Sequence, residues 1–462
     1  MIDIKIGLEV HVQLLTNTKL FCGCPNRFVK EPNTLVCNYC IGLPGSKPRV
    51  NKSALHYAIL IGTALDCRTS SPTFFSRKSY FYPDMGKNFQ ITQYEVPIAH
   101  SGKLKLGQKM ITIKRIQLEE DPARIVHSGG SITTAQYVLV DYNRSGVPLC
   151  EIVTDPDFES PKEAREFLQK LSSILQYLNV FDPNVEGSMR VDANISLGPS
   201  RVEIKNISGF KDVEKALNYE IVRQKSLIKR KQKIARETRG WDDIAGVTRS
   251  LRTKEEEEDY GYIYENDLPK FTFETWQLDK IRGSIPELPD QKTKRYVKDL
   301  KLAEELAVSI VSEPDLAEAF EKVINYVDKQ LAAKWFAGEI KKTLNFNNMR
   351  FKESKLRTDG IIKLLEMVEK KVVTDHTAEM LLREMTVKQV DPDSHAQGAA
   401  RIYEEGTLEK TIQEVLGTNA KAVLDYKSGK QESFNFLVGQ VMKKTQGRGD
   451  PETIRKLLKK VI

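Results

Sequence analysis

The stretch 187–206, GSMRVDANISLGPSRVEIKN, constrains this chain more than any other. Met189, Val191, Ala193, Ile195 and Leu197 alternate with Arg190, Asp192, Asn194 and Ser196. After the turn signal Gly198-Pro199-Ser200, Val202 and Ile204 alternate with Arg201, Glu203 and Lys205. Period two on both sides of a turn predicts a β-hairpin with one buried face. The other face collects Asp192, Glu203, Asn194, Arg190, Arg201 and Lys205. Carboxylates held close on a sheet face repel one another unless cations or phosphates complete the arrangement. For a lone hairpin a solvated outer face is the plainer reading, so the decision rests on whether other strands bring matching groups.

Two other segments do. In Gly7-Leu8-Glu9-Val10-His11-Val12-Gln13-Leu14, the polar positions Glu9, His11 and Gln13 alternate with apolar ones. Further on, Ile111 and Ile113 alternate, the phase slips at Lys114-Arg115, and Ile116 and Leu118 resume opposite Arg115, Gln117 and Glu119. Alternation turns Glu119 inward beside Gln117, whereas a bulge turns Glu120 in instead. Both stay open. Between these strands, the segment around Arg77, Lys78, Tyr82 and Lys87 is a basic and aromatic loop broken at Pro83-Asp84. Such a loop suits anionic groups, with Lys and Arg on phosphates and Tyr against a ring.

Three strand segments with carboxylates on the polar face point to nucleotide-dependent ligation. Oxygen ligands hold divalent cations against a triphosphate while Arg and Lys steady the moving phosphoryl group. Mg²⁺ prefers oxygen, so His11 suits a softer ion or a phosphate better. No G-x-x-x-x-G-K-[ST] loop occurs; 42–48, GLPGSKP, is too short and its prolines have no amide to donate.

Of six cysteines, four cluster as Cys22-Gly23-Cys24 and Cys37-Asn38-Tyr39-Cys40. In a reducing compartment this spacing suits a structural tetrahedral Zn²⁺, the alternative being four unliganded thiols. Cys67 and Cys150 are isolated and read as core. The opening MIDIKIGLEV has neither the basic lead nor the apolar core of a signal peptide, and no run of about 18 apolar residues occurs. The expectation is a cytoplasmic protein with no membrane partner. Its net charge of +8 suits an anionic partner without naming one.

GLEVHVQL, the CGC…CNYC pair, RKSYFYPDMGKNFQI, LEEDPARIVH, DYNRSGVPLCEIVTDPDFESPKEA, GSMRVDANISL and FNFLVGQVMKKTQGRGDPETIRKLL together resemble the B-subunit family of aspartyl/glutamyl-tRNA amidotransferases. The likeness spans nearly the whole chain. It implies that ATP phosphorylates the side-chain carboxylate of a mischarged Asp-tRNA(Asn) or Glu-tRNA(Gln), and that ammonia displaces the phosphate. It also implies an α+β fold: a glutamine-synthetase-like antiparallel-sheet catalytic domain, then an all-helical region and a small helical tail facing the tRNA. The expected partners are the mischarged tRNA, an amidase (glutaminase) A-subunit, and a small C-subunit; the expected cofactors are ATP, Mg²⁺ and structural Zn²⁺. Carried over by motif, Glu9, His11, Asp192 and one of Glu119 and Glu120 form the catalytic metal site, the family pointing to Glu120. Arg77, Lys78, Tyr82 and Lys87, with Arg190, Asn194, Glu203 and Lys205, are the candidate ATP and phosphate contacts. Two departures stand out. Many bacterial relatives lack the four cysteines, and the family's acidic Tyr-Phe-Pro run survives only loosely in 262–267, YIYEND.

The expected domains are 1–290, catalytic, with the zinc loop at 22–40; 291–400, helical; and 401–462, the helical tail. Length alone suggests roughly three domains. Ser160-Pro161 opens a helix that packs Phe167, Leu168, Leu171, Ile174, Leu175 and Leu178 on the sheet. A helix from Lys215 is expected to run through the basic stretch 223–239. Arg223, Lys225, Arg230 and Lys233 there are candidate tRNA contacts, set against an equally weighted solvated face. The stretch 254–259 is acidic and expected to be exposed. Later helices are expected over 290–302, 314–327, 331–344 and 359–371 and from about Pro451.

Overall fold

A computed structural model describes residues 3–128, 135–198, 200–253, 261–393, 405–445 and 447–462, which divide into two units, 1–288 and 289–462. The expected boundary at 400 and the acidic stretch 254–259 lie outside the described residues. The first unit is built on a sheet, the second on helices, so the class is α+β. Among the described residues no helix is long and apolar enough to cross a membrane.

The strands are β1 (Lys5–Gln13), β2 (Arg68–Thr69), β3 (Ser76–Ser79), β4 (Phe89–Thr92), β5 (Ala99–Leu106), β6 (Lys109–Glu120), β7 (Arg124–His127), β8 (Val138–Asp141), β9 (Pro148–Thr154), β10 (Met189–Ser196), β11 (Val202–Ser208), β12 (Glu237–Asp242), β13 (Val247–Thr253) and β14 (Ile263–Tyr264). Twelve make one sheet, running β13-β12-β11-β10-β1-β9-β6-β4-β3-β14, with β5 joining β2 to β6; β7 and β8 form a separate hairpin. The 187–206 hairpin is β10–β11, and it sits beside the central β1. The sheet is not wholly antiparallel as expected, because β11 and β12 run parallel. The chain between them crosses over through a helix, which permits a parallel return.

Alternation explains the layering. Leu8, Val10 and Val12 of β1, Val191, Ala193 and Ile195 of β10, Ile116 and Leu118 of β6 and Cys150 and Ile152 of β9 are all buried in one core. Helices α1 (Lys52–Ala64), α2 (Pro161–Tyr177) and α3 (Phe210–Lys229) pack on this side. Helix α2 begins as its sequence requires, with Ser160 Oγ accepting from the Glu163 amide and Pro161 in the first turn. The expected phase slip in β6 is a bulge. Ile113 faces Thr154 and Arg115 faces Val153, leaving Lys114 as the extra residue. A second bulge lies between β10 and β11, where the extra residue, at 205–206, falls on β11.

The basic helix is shorter than expected. Helix α3 begins at Phe210 and ends at Lys229, and Lys231 takes a left-handed conformation, with φ +56°. The amides of Lys231 and Gln232 close back onto Ile228 and Leu227, a C-terminal wrap that terminates the helix. Past it the chain enters β12 at Glu237, so 230–239 is not helical.

In the second unit, helices span Pro289–Asp299, Glu304–Val311, Pro314–Val323 and Lys329–Trp335, the last continuing through a π-helical turn, Phe336–Ile340, into Lys341–Phe346. Thr358–Glu369 and Asp375–Val387 follow; the helices at 304–311 and 375–387 were not anticipated. Residues 405–462 hold four more helices around Leu408, Ile412, Phe434, Leu437, Val441, Ile454, Leu457 and Leu458.

Candidate active site

The face of the sheet opposite the helices is where the polar positions of the central strands meet. In register, Glu9 faces Asp192 and His11 faces Arg190 on β10; on the other side of β1, His11 faces Glu151 of β9, which in turn faces Gln117 of β6. Two sets of ligand-competent side chains result: His11 with Glu119 and Glu151, and Glu9 with Asp192 and Glu203. Within each set the candidate ligand atoms all lie within 4.8 Å of one another. His11 Nε2 is 3.5 Å from Glu119 Oε1 and 3.9 Å from Glu151 Oε2. Gln117 donates to Glu151 at 2.8 Å, Asn194 to Glu9 at 2.9 Å and Thr238 to Glu203 at 3.0 Å, so neutral donors orient three of the carboxylates.

Crowding and burial show in the proton affinities. Burial, then Glu151, pushes Glu119 up to about 7. Burial, then Glu151, Asp192 and Glu203, raises Glu9. Burial opposes charge on His11, but Glu151, Glu119 and Asp192 outweigh it and hold the imidazole above its ordinary value. These are the signatures of carboxylates gathered without enough positive charge. The all-oxygen set suits a hard divalent ion; the set containing His11 mixes nitrogen with oxygen.

Cations border both sets. Lys205 Nζ lies 3.2 Å from Asp192 and 3.7 Å from Glu203, two residues before it on β11. Arg190 pairs with Asp121 at 2.9 Å, and Lys78 is near enough to lower the proton affinity of Glu119. Other candidate phosphate contacts are engaged elsewhere. Arg77 makes a two-pronged pair with buried Glu265, at 2.7 and 2.8 Å, and reaches Asp267. The loosely matched run 262–267 thus has a definite place, clamping Arg77. Lys87 lies between Glu120 and the Tyr39 hydroxyl, and Tyr82 is exposed.

Glu119 and Glu120 part company here. Glu119 joins His11; Glu120 accepts from Lys87, Tyr39 and the Ile91 amide, away from the ligand sets. Sequence reasoning missed Glu151 and gave Glu203 to phosphate rather than to the second set. The signal for Glu151 was its position, a lone carboxylate inside the apolar run VPLCEIVT. The four cysteines come together as expected from their spacing, in a third ligand-competent group. Among the candidate tRNA contacts, Arg223 is taken by Glu220 at 2.6 Å and Glu237 at 3.2 Å, while Lys225, Arg230 and Lys233 are exposed.

The chain matches known proteins along most of its length. The family model described as the GatB/GatE catalytic domain matches residues 4–279, and the GatB domain model matches 318–462. The B subunit of the aspartyl/glutamyl-tRNA(Asn/Gln) amidotransferase from Saccharolobus solfataricus is 45% identical, over 99% of this chain and 99% of its own. The proteins of the same name from Methanospirillum hungatei and Haloquadratum walsbyi are 46% and 44% identical, over 99% of this chain and 98% and 96% of their own.

Proposed function

The chain belongs to the family of aspartyl/glutamyl-tRNA(Asn/Gln) amidotransferase B subunits, and from that premise we propose that its acidic sheet face carries out the ATP-dependent half of the reaction. The enzyme is a glutamine-dependent carbon–nitrogen ligase acting on Asp-tRNA(Asn) or Glu-tRNA(Gln). A side-chain carboxylate oxygen of the charged tRNA attacks the γ-phosphorus of ATP, and ADP leaves. Ammonia then attacks the acyl carbon, the C–O bond breaks and phosphate departs. The observation that carries this reading is the pair of ligand sets on either side of β1, each bordered by a cation.

Both steps concentrate negative charge on oxygen. Divalent cations such as Mg²⁺ held by His11, Glu119 and Glu151 and by Glu9, Asp192 and Glu203 would supply charge stabilisation to the phosphates. Arg190, Lys78 and Lys205 add fixed positive charge. Glu120, the alternative ligand, serves as the partner of Lys87. The sheet with its acidic face supports a likeness to glutamine synthetase.

The ammonia comes from elsewhere in this reading. Release of ammonia from glutamine needs an activated nucleophile. Burial, then Asp66, pushes the Cys67 thiol up to about 12, and burial raises Cys150 as well, leaving neither as a thiolate near neutrality. An amidase partner and a small third subunit fit this need. The four-cysteine loop is assigned to structural zinc. Cys40 Sγ lies 3.7, 3.8 and 3.9 Å from the sulfurs of Cys22, Cys37 and Cys24, and a tetrahedral zinc with Zn–S of about 2.3 Å has edges of about 3.8 Å. The helical tail is assigned to the tRNA, and the place of work to the cytoplasm, where translation runs.

One assay tests the reading: phosphate release with charged tRNA, uncharged tRNA or free amino acid, partner subunits and ammonium present. Release only with charged tRNA is expected. Equal turnover with free amino acid would make this a stand-alone ligase; tRNA binding without turnover would make it a binding module.

A further inference from the structure

We infer that Lys19 is the built-in counter-charge of the four-cysteine centre, and that it ties metal occupancy to the seating of the 141–146 segment. The inference rests on the zinc reading above.

Lys19 is 0% exposed, and among the described residues it pairs with no carboxylate. Its ammonium has three protons and three acceptors: Leu35 O at 2.9 Å, Tyr142 O at 3.2 Å and Cys40 Sγ at 3.4 Å. A buried ammonium held by two carbonyls and one sulfur depends on that sulfur for negative charge, because neutral carbonyls alone repay only part of its lost hydration. Four thiolates around a divalent ion change the balance. They leave a centre with a net charge of about −2, and Lys19 touches one of its sulfurs. The lysine needs the metallated centre as much as the centre needs the lysine.

The other two acceptors give the pair its reach. Leu35 stands two residues before Cys37, and Tyr142 belongs to the segment after β8. That segment is stitched to the cysteine loop at further points. Leu35 N donates to Asn143 Oδ1 at 2.7 Å, Ser145 Oγ to Cys40 O at 3.0 Å, and Leu20 N to Gly146 O at 2.8 Å. The positive-φ Gly146 lies against the Lys19 stem, where an added Cβ would come 3.5 Å from Cδ. Arg144 of the same segment sits 3.8 Å from Asp121, the partner of Arg190 at the acidic face. Loss of the metal frees the four sulfurs to separate and weakens the negative charge gathered beside Lys19, so the ammonium moves toward water and loosens both segments it holds.

The test uses the full-length chain. Lys19→Met removes charge and hydrogen bonds; Lys19→Gln removes the charge but can still donate to the carbonyls. Zinc release to a chromophoric chelator is followed in each. Roughly tenfold or faster release than wild type is expected in both, as for other groups touching metal ligands. A Gln variant that holds zinc like wild type overturns the counter-charge role. Should the variants not fold, the wild type suffices: mass spectrometry after amine acylation should find Lys19 protected with zinc and labelled after chelation, with amide exchange at 141–146 rising in step. Equal labelling in both states, or unchanged exchange, overturns the inference. Absence of metal from the purified chain overturns the zinc reading with it, whereas bound zinc released equally by wild type and variants overturns the lysine's role alone.

Discussion

Glu9 and Asp192 face one another directly across the β1–β10 ladder, and Glu203 closes a triangle of carboxylates with them. Opposed like charges on neighbouring strands destabilise a sheet, the more so when buried. A chain that keeps this arrangement at its centre, with Asn194 and Lys205 already turned toward it, is organised for something that binds there.

Asp192→Asn should therefore cost roughly 10²-fold or more in phosphoryl transfer, the size expected when charge at a transferring group is lost. Binding of tRNA should change little. Near-normal ATP turnover in this variant would move the chemistry off the hairpin.

The adjacent glutamates should behave differently. Glu119→Gln and Glu151→Gln should each depress phosphorylation and raise the Mg²⁺ concentration needed for half-maximal rate. Glu120→Gln should instead leave Lys87 as a buried unpaired cation and lower stability by about 3 kcal/mol. Denaturant midpoints and Mg²⁺ titrations on all three separate the roles. A Glu120 variant with intact stability and a lost Mg²⁺ response would reverse them.

Stability without metal should depend on pH in a defined direction. Folded Glu119 keeps its proton up to about 7, whereas the unfolded chain releases it in the ordinary carboxylate range. Between those values the native state binds more protons, so stability falls as pH rises. The raised His11 acts with the same sign at higher pH. Melting curves at pH 5 and 7.5 in EDTA should show the drop, and Mg²⁺ should reduce it. A metal-free melting temperature that rises across this range would contradict the crowding described above.

The basic segment should divide in two. Reversing Arg230 and Lys233 to Glu should weaken tRNA binding and flatten its salt dependence. Arg223→Ala should mainly cost stability, because Arg223 spans Glu220 and Glu237 inside the first unit. Unchanged affinity at low salt in the double reversal would return the segment to a solvated face.

What the sequence revealed depended on whether a residue's role follows from its own neighbours in the chain. The β10–β11 hairpin, the β1 strand and the β6 slip were legible because period two is local. The cysteine cluster was legible because its spacing is nearly its geometry. Glu151 was not, since the run around it is apolar on both faces and carries no alternation to mark the polar side. Arg77 and Lys87 looked like phosphate ligands because their partners, Glu265 and Glu120, lie far away in sequence and only the folded sheet brings them in. The end of α3 was hidden for another reason: lysine is an ordinary helix former, and only its left-handed conformation at Lys231 marks the stop.

The β6 bulge sets the grammar by which this gene can change. Lys114 is exposed and opposite nothing on β9, so many residues can replace it. Its presence, however, is what keeps Ile116 and Leu118 toward the helices and Gln117 and Glu119 toward the ligands. Delete that one codon and every side chain from Arg115 to Glu120 changes sides, putting Ile116 and Leu118 on the ligand face and Gln117 and Glu119 into the core. Here spelling is free and length is fixed, so drift should leave substitutions at position 114 and no gaps.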